Sequence, residues 1–392
     1  MIKVINACTC ELDNHEQAVQ DILNQIDIKN GLLKNSVALL FCHLKFIETG
    51  IMEAVRKSLP FDVLGCTSMY FAMDAPEKMA AQSGAIMLTV TVLTSDDTEF
   101  ATGMCDPLTP ENADDRIHTL YRETAASLGG KPDLVFALLP TMFELTMDVM
   151  TASLYSACGG VPVFGTLALD LDLHIRTPKT MYQGTAYNDR MALLLFKGPV
   201  NPRFFHLCFP EKSVLDQDAV VTEANGSELI SINNQPAQSF LQEIGLIRNS
   251  EHTDAIPLIL HSSDGSKTEV VIVQGINDEG VLLCSRRISA GSILNIGAIT
   301  ADYVLDSART FIQRVKEGYK DGAGLFILSC VLRAVVLGES AAAEVKLIQQ
   351  ELDNFPCTHL YLHSGGELCP KYGKSGEIVN QSFHYAIIAC LI

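Results

Sequence analysis

Small polar and ionisable residues stand at the ends of three short apolar runs, where the chain enters a turn. They are Cys66, Thr67 and Ser68 after the first run, Thr166 and Asp170 after the second, and Ser364 and Glu367 after the third. In open α/β sheets, ligands bind outside the carboxyl ends of the strands. Thiol, hydroxyl and carboxylate groups in an apolar frame suit a small zwitterionic or carboxylate ligand. The pattern therefore predicts a ligand site built from three strand ends.

A further pair combines a thiol and a guanidinium, because Cys330 ends an apolar run and Arg333 follows three residues later. The guanidinium could lower the pKa of the thiol and make Cys330 a nucleophile. A buried cysteine at a strand end beside a surface arginine is the competing interpretation, and both stay open. The serine hydrolase signature G-x-S-x-G is missing. We therefore expect no enzyme, with a thiol-dependent activity at Cys330 left open.

Arg333 and Glu367 are predicted to share one polar site, because both follow strands of the same repeat. Loops at the carboxyl ends of neighbouring parallel strands meet at one edge of a sheet. Arg333 could bind a ligand carboxylate in a bidentate manner, and Glu367 could bind an ammonium group. A salt bridge between the two residues, with no ligand, is the alternative.

Phosphate, metal and haem motifs are absent or incomplete. No G-x-x-x-x-G-K-[ST] loop occurs, and no cysteine or histidine spacing is typical of a metal site. Cys369 and Pro370 resemble a haem-regulatory Cys-Pro pair, but the C-x-x-C-H attachment motif is missing. We therefore expect no metal and no cofactor, with haem as the alternative.

The elements that position these residues recur three times. The apolar runs 37–43, 134–140 and 324–330 are each flanked by amphipathic stretches, and leading strands are predicted at 2–8, 98–104 and 291–298. Second strands end in turns at 63–68, 163–168 and 360–367, and closing strands follow at 85–93, 191–198 and 383–392. Glycines in the turns predict close backbone approach or positive φ. The unit reads strand–helix–strand–helix–strand–strand.

This repeat predicts an α/β fold with mixed, partly antiparallel sheets flanked by helices. We expect two domains. Residues 1–200 hold two repeats (1–96 and 97–200), and residues 201–392 hold an inserted β-rich segment (201–289) and a third repeat (290–392).

Composition narrows the function further. The 392-residue chain is 48% hydrophobic and 19% charged, with a net charge of −18, which disfavours nucleic acid and anionic membranes as partners. Cysteines inside apolar runs, such as Cys42, Cys158, Cys330 and Cys390, are predicted to be reduced core residues. The N-terminus does not resemble a signal peptide, and no apolar stretch is long enough to cross a bilayer. We therefore expect a soluble, cytoplasmic protein.

At these motifs the sequence resembles the FIST family, with its paired FIST-N and FIST-C domains. The family motifs correspond to Gly65–Thr67, Gly165–Asp170, Gly226–Ala237, Cys330 to Arg333, Gly366–Glu367 and Phe383–His384, in the family order. Tyr385 stands where the family usually has Asn, and the second Gly of its G-G-x-A-x-D stretch is replaced by Thr166.

The resemblance implies a sensory protein of signal transduction whose ligand is an amino acid or similar small carboxylate. A haem-based gas sensor and a protein-interaction adaptor are the alternatives. The implied output partner is a separate protein such as a histidine kinase or cyclase. The expected ligand-binding residues are Cys66, Thr67, Asp170, Cys330, Arg333, Glu367 and His384.

Overall fold

The computed structural model describes residues 2–69, 71–73, 86–142, 144–170, 177–208, 214–246, 257–262, 268–297, 299–373 and 375–392. Parallel and antiparallel strands mix within its sheets, and helices cover the outer faces of three of them. The predicted α/β class with mixed, helix-flanked sheets is confirmed. In the described part of the chain, no helix is long and apolar enough to cross a bilayer.

The first sheet is built from apolar strands that bury both faces. Its unit contains β1 (Ile2–Thr9), α1 (His15–Gln25), β2 (Asn35–Cys42), α2 (Ile51–Ser58), β3 (Asp62–Thr67), β4 (Ala72–Met73) and β5 (Leu88–Ser95). The strands lie in the order β1–β5–β2–β3, and only β2 and β3 are parallel. The side chain of Asn14 accepts a hydrogen bond from the Gln17 amide, which caps α1 where its amides lack helical partners.

The second unit contains β6 (Glu99–Met104), α3 (Ala113–Ala126), β7 (Leu134–Leu139), α4 (Met147–Cys158), β8 (Val163–Leu167), β9 (Thr180–Tyr182), β10 (Thr185–Tyr187) and β11 (Ala192–Lys197). Its strands lie in the order β6–β11–β7–β8, again with one parallel pair. This arrangement matches that of the first unit.

An inserted domain follows β12 (Arg203–Leu207). It contains β13 (Val214–Asn225), β14 (Glu228–Ile232), β15 (Gln235–Pro236), α5 (Ala237–Glu243), β16 (Pro257–His261), β17 (Thr268–Ile276), β18 (Leu282–Cys284) and β19 (Ile293–Gly297). These strands form one sheet, and its buried side chains form a core of their own.

The third unit continues with α6 (Ala301–Gly318), β20 (Gly324–Cys330), α7 (Val331–Leu337), α8 (Ala342–Glu351), β21 (Thr358–Ser364), β22 (Glu367–Tyr372), β23 (Ile378–Phe383) and β24 (Ile387–Leu391). The prediction that 291–298 leads this unit is wrong, because β19 belongs to the inserted sheet and β12 pairs with β24 instead. Phe204 and Phe205 of β12 pack into cores on opposite faces, whereas Leu294 and Ile296 of β19 both enter the core of the inserted domain. The third unit therefore starts before the insertion.

Short strands link the three sheets in a cycle. β4 of the first unit pairs with β21 of the third, β9 of the second pairs with β3 of the first, and β22 of the third pairs with β8 of the second. One apolar core lies between the three sheets, where Phe136 meets Phe164 and Phe326 edge to face at 5.4 and 5.7 Å between ring centroids. These pairings between units bring the carboxyl ends of the parallel strands together.

Candidate functional site

A cavity of about 300 Å³ opens where these strand ends meet the inserted domain. Its wall is mostly apolar and includes Met142, Leu145, Met147, Leu167 and Leu169 from the second unit, Val331, Leu332 and Val335 from the third, and Ile272 and Val273 from the inserted domain. Its polar lining includes Thr141, Thr146, Asp170, Gln274, Ser285 and His384. A volume at the lower end of the range for ligand pockets suits a small molecule.

Asp170 supplies the carboxylate of this cavity. Only 2% of the residue is exposed, and it follows the end of β8. Its Oδ2 accepts hydrogen bonds from the backbone amide of Thr177, at 3.2 Å, and from the Thr177 hydroxyl. Thr177 thus fixes one carboxylate oxygen of Asp170 at the cavity wall.

His384 supplies an imidazole from the turn between β23 and β24. The residue is 6% exposed, and its Nε2 has no hydrogen-bond partner among the described residues. Burial, together with the nearby charge of Arg286, lowers the pKa of His384 well below its ordinary value. The ring is therefore neutral at physiological pH and can offer a nitrogen to a ligand.

Thr67 does not line the cavity but positions its wall. Its carbonyl accepts from the Leu169 amide at 2.9 Å, and its Oγ1 accepts from the Lys179 amide at 2.9 Å. Thr67 therefore connects the end of β3 to Leu169 and to Lys179, which come before and after Asp170 in the chain. Cys66 lies in the core between the sheets, where burial raises the pKa of its thiol.

The hydroxyls predicted to contact a ligand instead connect the units. Ser68 Oγ donates to the His363 carbonyl at 2.6 Å, and Thr166 Oγ1 donates to Ser364 Oγ at 2.7 Å. Both pairs join strand ends of different units. These residue types mark strand ends correctly, but their hydrogen-bonding capacity is used within the protein.

Arg333 is buried behind the cavity, with 1% of the residue exposed. Its Nε and Nη2 donate to Glu344 Oε1 at 2.9 and 2.6 Å, and Nη2 also donates to Ser307 Oγ and the Val304 carbonyl. Neither predicted role fits this geometry: Arg333 does not line the cavity, and its ion pair is with Glu344 rather than Glu367. Nε and Nη2, which form one edge of the guanidinium, are thus both used within the protein.

Glu344 is the residue that the sequence interpretation missed. It lies in α8 at 0% exposure and also accepts from Ser329 Oγ at 3.0 Å and the Tyr361 hydroxyl at 3.2 Å. Burial alone would raise the pKa of Glu344, but Arg333 and the surrounding donors outweigh it and lower the pKa to about 2. The only local signal was an acidic residue directly after three alanines.

Cys330 and Glu367 lie together in the interior, next to the cavity-lining residues Val331 and Gly365. Neither carboxyl oxygen of Glu367 has a hydrogen-bond partner of good geometry among the described residues. Burial raises the pKa of Glu367 well above its ordinary value, which the nearby Ser364 hydroxyl and Arg333 charge offset only in part. Burial thus favours the protonated, neutral form of Glu367.

Burial, with a contribution from Glu367, also raises the pKa of the Cys330 thiol. A buried thiol with a raised pKa carries little nucleophilic thiolate.

Cys42, Cys158 and Cys390 are buried thiols as well, which confirms their predicted place in the core. Cys369, the cysteine of the Cys-Pro pair, is buried between sheets and does not line the cavity. In the described ranges, no group of three or more His, Cys, Asp or Glu side chains is arranged to hold a metal ion.

Two family models match the sequence in tandem. The FIST N domain matches residues 36–235, and the FIST C domain matches residues 228–370. Together they cover residues 36–370, which include strands of all three sheets and the inserted domain. No curated protein matches the sequence significantly.

Two of the solved structures that match share little sequence with this chain and have low TM-scores. A cyanuric acid hydrolase from A. caulinodans is 10% identical, with a TM-score of 0.26 over 51% of this chain and 72% of that chain. A chorismatase is 8% identical, with a TM-score of 0.34 over 100% of this chain and 98% of that chain. Scores this low carry no argument about activity.

Proposed function

The chain belongs to the FIST family, whose N and C domains are sensory domains for small ligands in signal transduction, and we propose that the cavity at Asp170 and His384 is its ligand site. The observation that carries this proposal is the buried Asp170 carboxylate, which Thr177 holds through one oxygen in a mostly apolar wall. A carboxylate held in such a wall favours a cationic partner.

We propose that the ligand is an amino acid with an apolar side chain, or a related small amine. Its ammonium group would bind Asp170, and its apolar part would pack against Met142, Met147 and Leu332. A carboxylate on the ligand would meet neutral groups such as His384, because no lysine or arginine lines the described part of the cavity. The amine is therefore expected to contribute more to affinity than the carboxylate.

Three related probes separate these contributions in a thermal-shift assay. L-Leucine carries both charged groups, 3-methylbutylamine only the amine, and 4-methylpentanoate only the carboxylate. We expect L-leucine and 3-methylbutylamine to stabilise the protein, by about 2.7 kcal/mol at a hundred times their dissociation constants, and 4-methylpentanoate to do so far less.

The matched variants are Asp170→Asn and Asp306→Asn. Asp170→Asn should abolish the shift, whereas Asp306→Asn, on the exposed face of α6, should leave it unchanged. Equal shifts for Asp170→Asn and the wild type would refute the assignment of the site.

We also propose that the protein acts in the reducing cytoplasm and passes its signal to a separate protein such as a histidine kinase or cyclase. The buried thiols of Cys42, Cys158, Cys330 and Cys390 support a reducing compartment. Affinity capture from cytoplasmic extract with and without L-leucine tests the partner, since a signalling partner should be retained in only one of the two conditions.

A further inference from the structure

The inserted domain forms part of the cavity wall although its core is separate from the cores of the three sheets. Ile272, Val273 and Gln274 of β17, together with Ser285, face the cavity opposite residues of α4 and α7. The apolar side chains of the inserted domain pack mainly against one another. Domains that share such a limited interface move relative to one another by default.

Arg286 carries the first polar contact from the inserted domain to the rest of the chain. It is 6% exposed, and its Nη2 donates to the carbonyl and hydroxyl of Ser382 at 2.8 and 3.1 Å. Its Nη1 forms an ion pair with Glu269 of β17 at 3.0 Å. Ser382 precedes His384 by two residues, so this contact ends beside a cavity-lining side chain.

Arg287 carries the second polar contact. Its Nε lies 2.9 Å from Asp148 Oδ2, in the first turn of α4 beside the cavity-lining Met147. The arginine side chain is 59% exposed, so solvent reaches this ion pair. A cleft of about 520 Å³, lined by Asp148, Glu269, Arg286 and Arg287, separates the two parts here. The two parts are thus joined by charged side chains beside an open cleft.

We propose that the inserted domain is a ligand-responsive cover for the cavity and that Arg286 and Arg287 are the latch that holds it closed. Both arginines directly follow the cavity-lining Ser285, so opening the latch moves the wall formed by β17 and Ser285. A ligand that contacts both the cover and the three-sheet body favours the closed state over the open one. The ligand part of this proposal rests on the proposed function; the latch itself does not.

Arg286 also links the latch to the chemistry of the site. Burial, together with the charge of Arg286, lowers the pKa of His384 while the cover is docked. When the cover opens, both influences on the pKa of His384 weaken.

The chain contains no tryptophan, so one introduced tryptophan reports on the cover without background. Val335 suits this purpose, because it lines the cavity from α7 and is 39% exposed. In Val335→Trp protein without ligand, acrylamide quenching of the fluorescence measures access to the cavity mouth. The latch is then altered in the same background by Arg287→Asp, by Asp148→Arg and by both together.

Each single charge reversal should increase the quenching constant about twofold to fivefold, the population change expected when one partly exposed ion pair is lost. The double reversal should restore the original value, which a merely local destabilisation would not do. Arg309→Asp, which removes an exposed pair with Asp306 on α6, is the control and should change nothing. Unchanged quenching in both single variants, or no recovery in the double variant, would overturn the latch.

L-Leucine separates this proposal from the proposed function. It should bind Arg287→Asp protein about twofold to fivefold more weakly than the wild type, both without the tryptophan. If calorimetry shows L-leucine binding to the wild type with equal affinity for Arg287→Asp, the cover is not ligand-responsive. If L-leucine and 3-methylbutylamine bind no variant, the proposed ligand class fails, while the charge-reversal results still decide the latch.

Discussion

Replacing Arg333 with methionine removes the positive half of an ion pair that no solvent reaches. Glu344 would keep its Ser329 and Tyr361 donors and the His363 imidazole at 3.8 Å, but it would lose the ion pair with Arg333 and both of that pair's hydrogen bonds. Breaking a buried pair by removing one partner costs about 3–5 kcal/mol. The loss is expected near the lower end of that range, because burial then raises the pKa of Glu344 and the acid can take up a proton.

The double variant Arg333→Met/Glu344→Gln makes the prediction specific. Glutamine keeps a hydrogen-bond acceptor for Tyr361 but carries no charge, so the double variant should be at least as stable as Arg333→Met alone. A coupling free energy of about 2 kcal/mol between the two sites is expected.

Urea unfolding followed by circular dichroism at pH 7 measures these differences, and calorimetry with L-leucine measures binding by the folded variants. We expect lower stability with an unchanged dissociation constant. If Arg333→Met keeps wild-type stability but loses L-leucine binding, Arg333 is a ligand residue after all, and the description of the ion pair as structural is wrong.

Three further outcomes follow from the buried groups and the strand contacts. Burial raises the pKa of Glu367, so the folded protein holds a proton that the unfolded chain releases above the ordinary pKa of 4.5. The stability that this group contributes therefore falls as pH rises above 4.5, and Glu367→Gln should flatten the dependence of the melting temperature on pH in that range. Iodoacetamide should leave Cys330 unmodified in the native protein and label it after unfolding, as measured by peptide mass spectrometry. Labelling of Cys330 in the native protein would instead support a reactive thiol. A Cβ at Gly65 would lie 1.6 Å from the Leu40 carbonyl oxygen, so Gly65→Ala should lower the free energy of unfolding in urea by about 3 kcal/mol or more. At Gly275 the nearest contact of a Cβ is 3.9 Å away, so Gly275→Ala should lower it by less than about 1 kcal/mol.

The sequence was sufficient to predict the main strands because their apolar runs are long and bounded by turns. The partners of the shortest strands were not predictable. β4 and β9 span two and three residues, and their pairing with another unit's sheet depends on the assembled core. The same limit applies to the leading strand of the third unit. Two apolar strands, β12 and β19, flank the insertion, and only packing in the folded protein places β12 in the third sheet. Whether the three units superpose in detail stays a prediction.

The lining of the candidate site was predictable only in part from residue types at strand ends. Asp170 and His384 both line the cavity, and both correspond to family motifs at strand ends. Thr67, Ser68 and Thr166 occupy strand ends too, but a hydroxyl serves a backbone carbonyl as readily as a ligand. The contributions of Gln274 and Ser285 had no local signal, because they come from a separate domain.

Methyl NMR of protein labelled with [methyl-¹³C]methionine tests the central claim most directly, because Met142 and Met147 line the cavity while Met52 and Met181 are packed around Cys42 behind the first sheet. Methionine-to-leucine variants assign the four signals. On titration with L-leucine or 3-methylbutylamine, the Met142 and Met147 signals should shift together along one saturation curve, and those of Met52 and Met181 should stay in place. Saturable shifts confined to Met52 and Met181, or no shift of Met142 and Met147 with either probe, would contradict the assignment of this cavity as the site for a small amine.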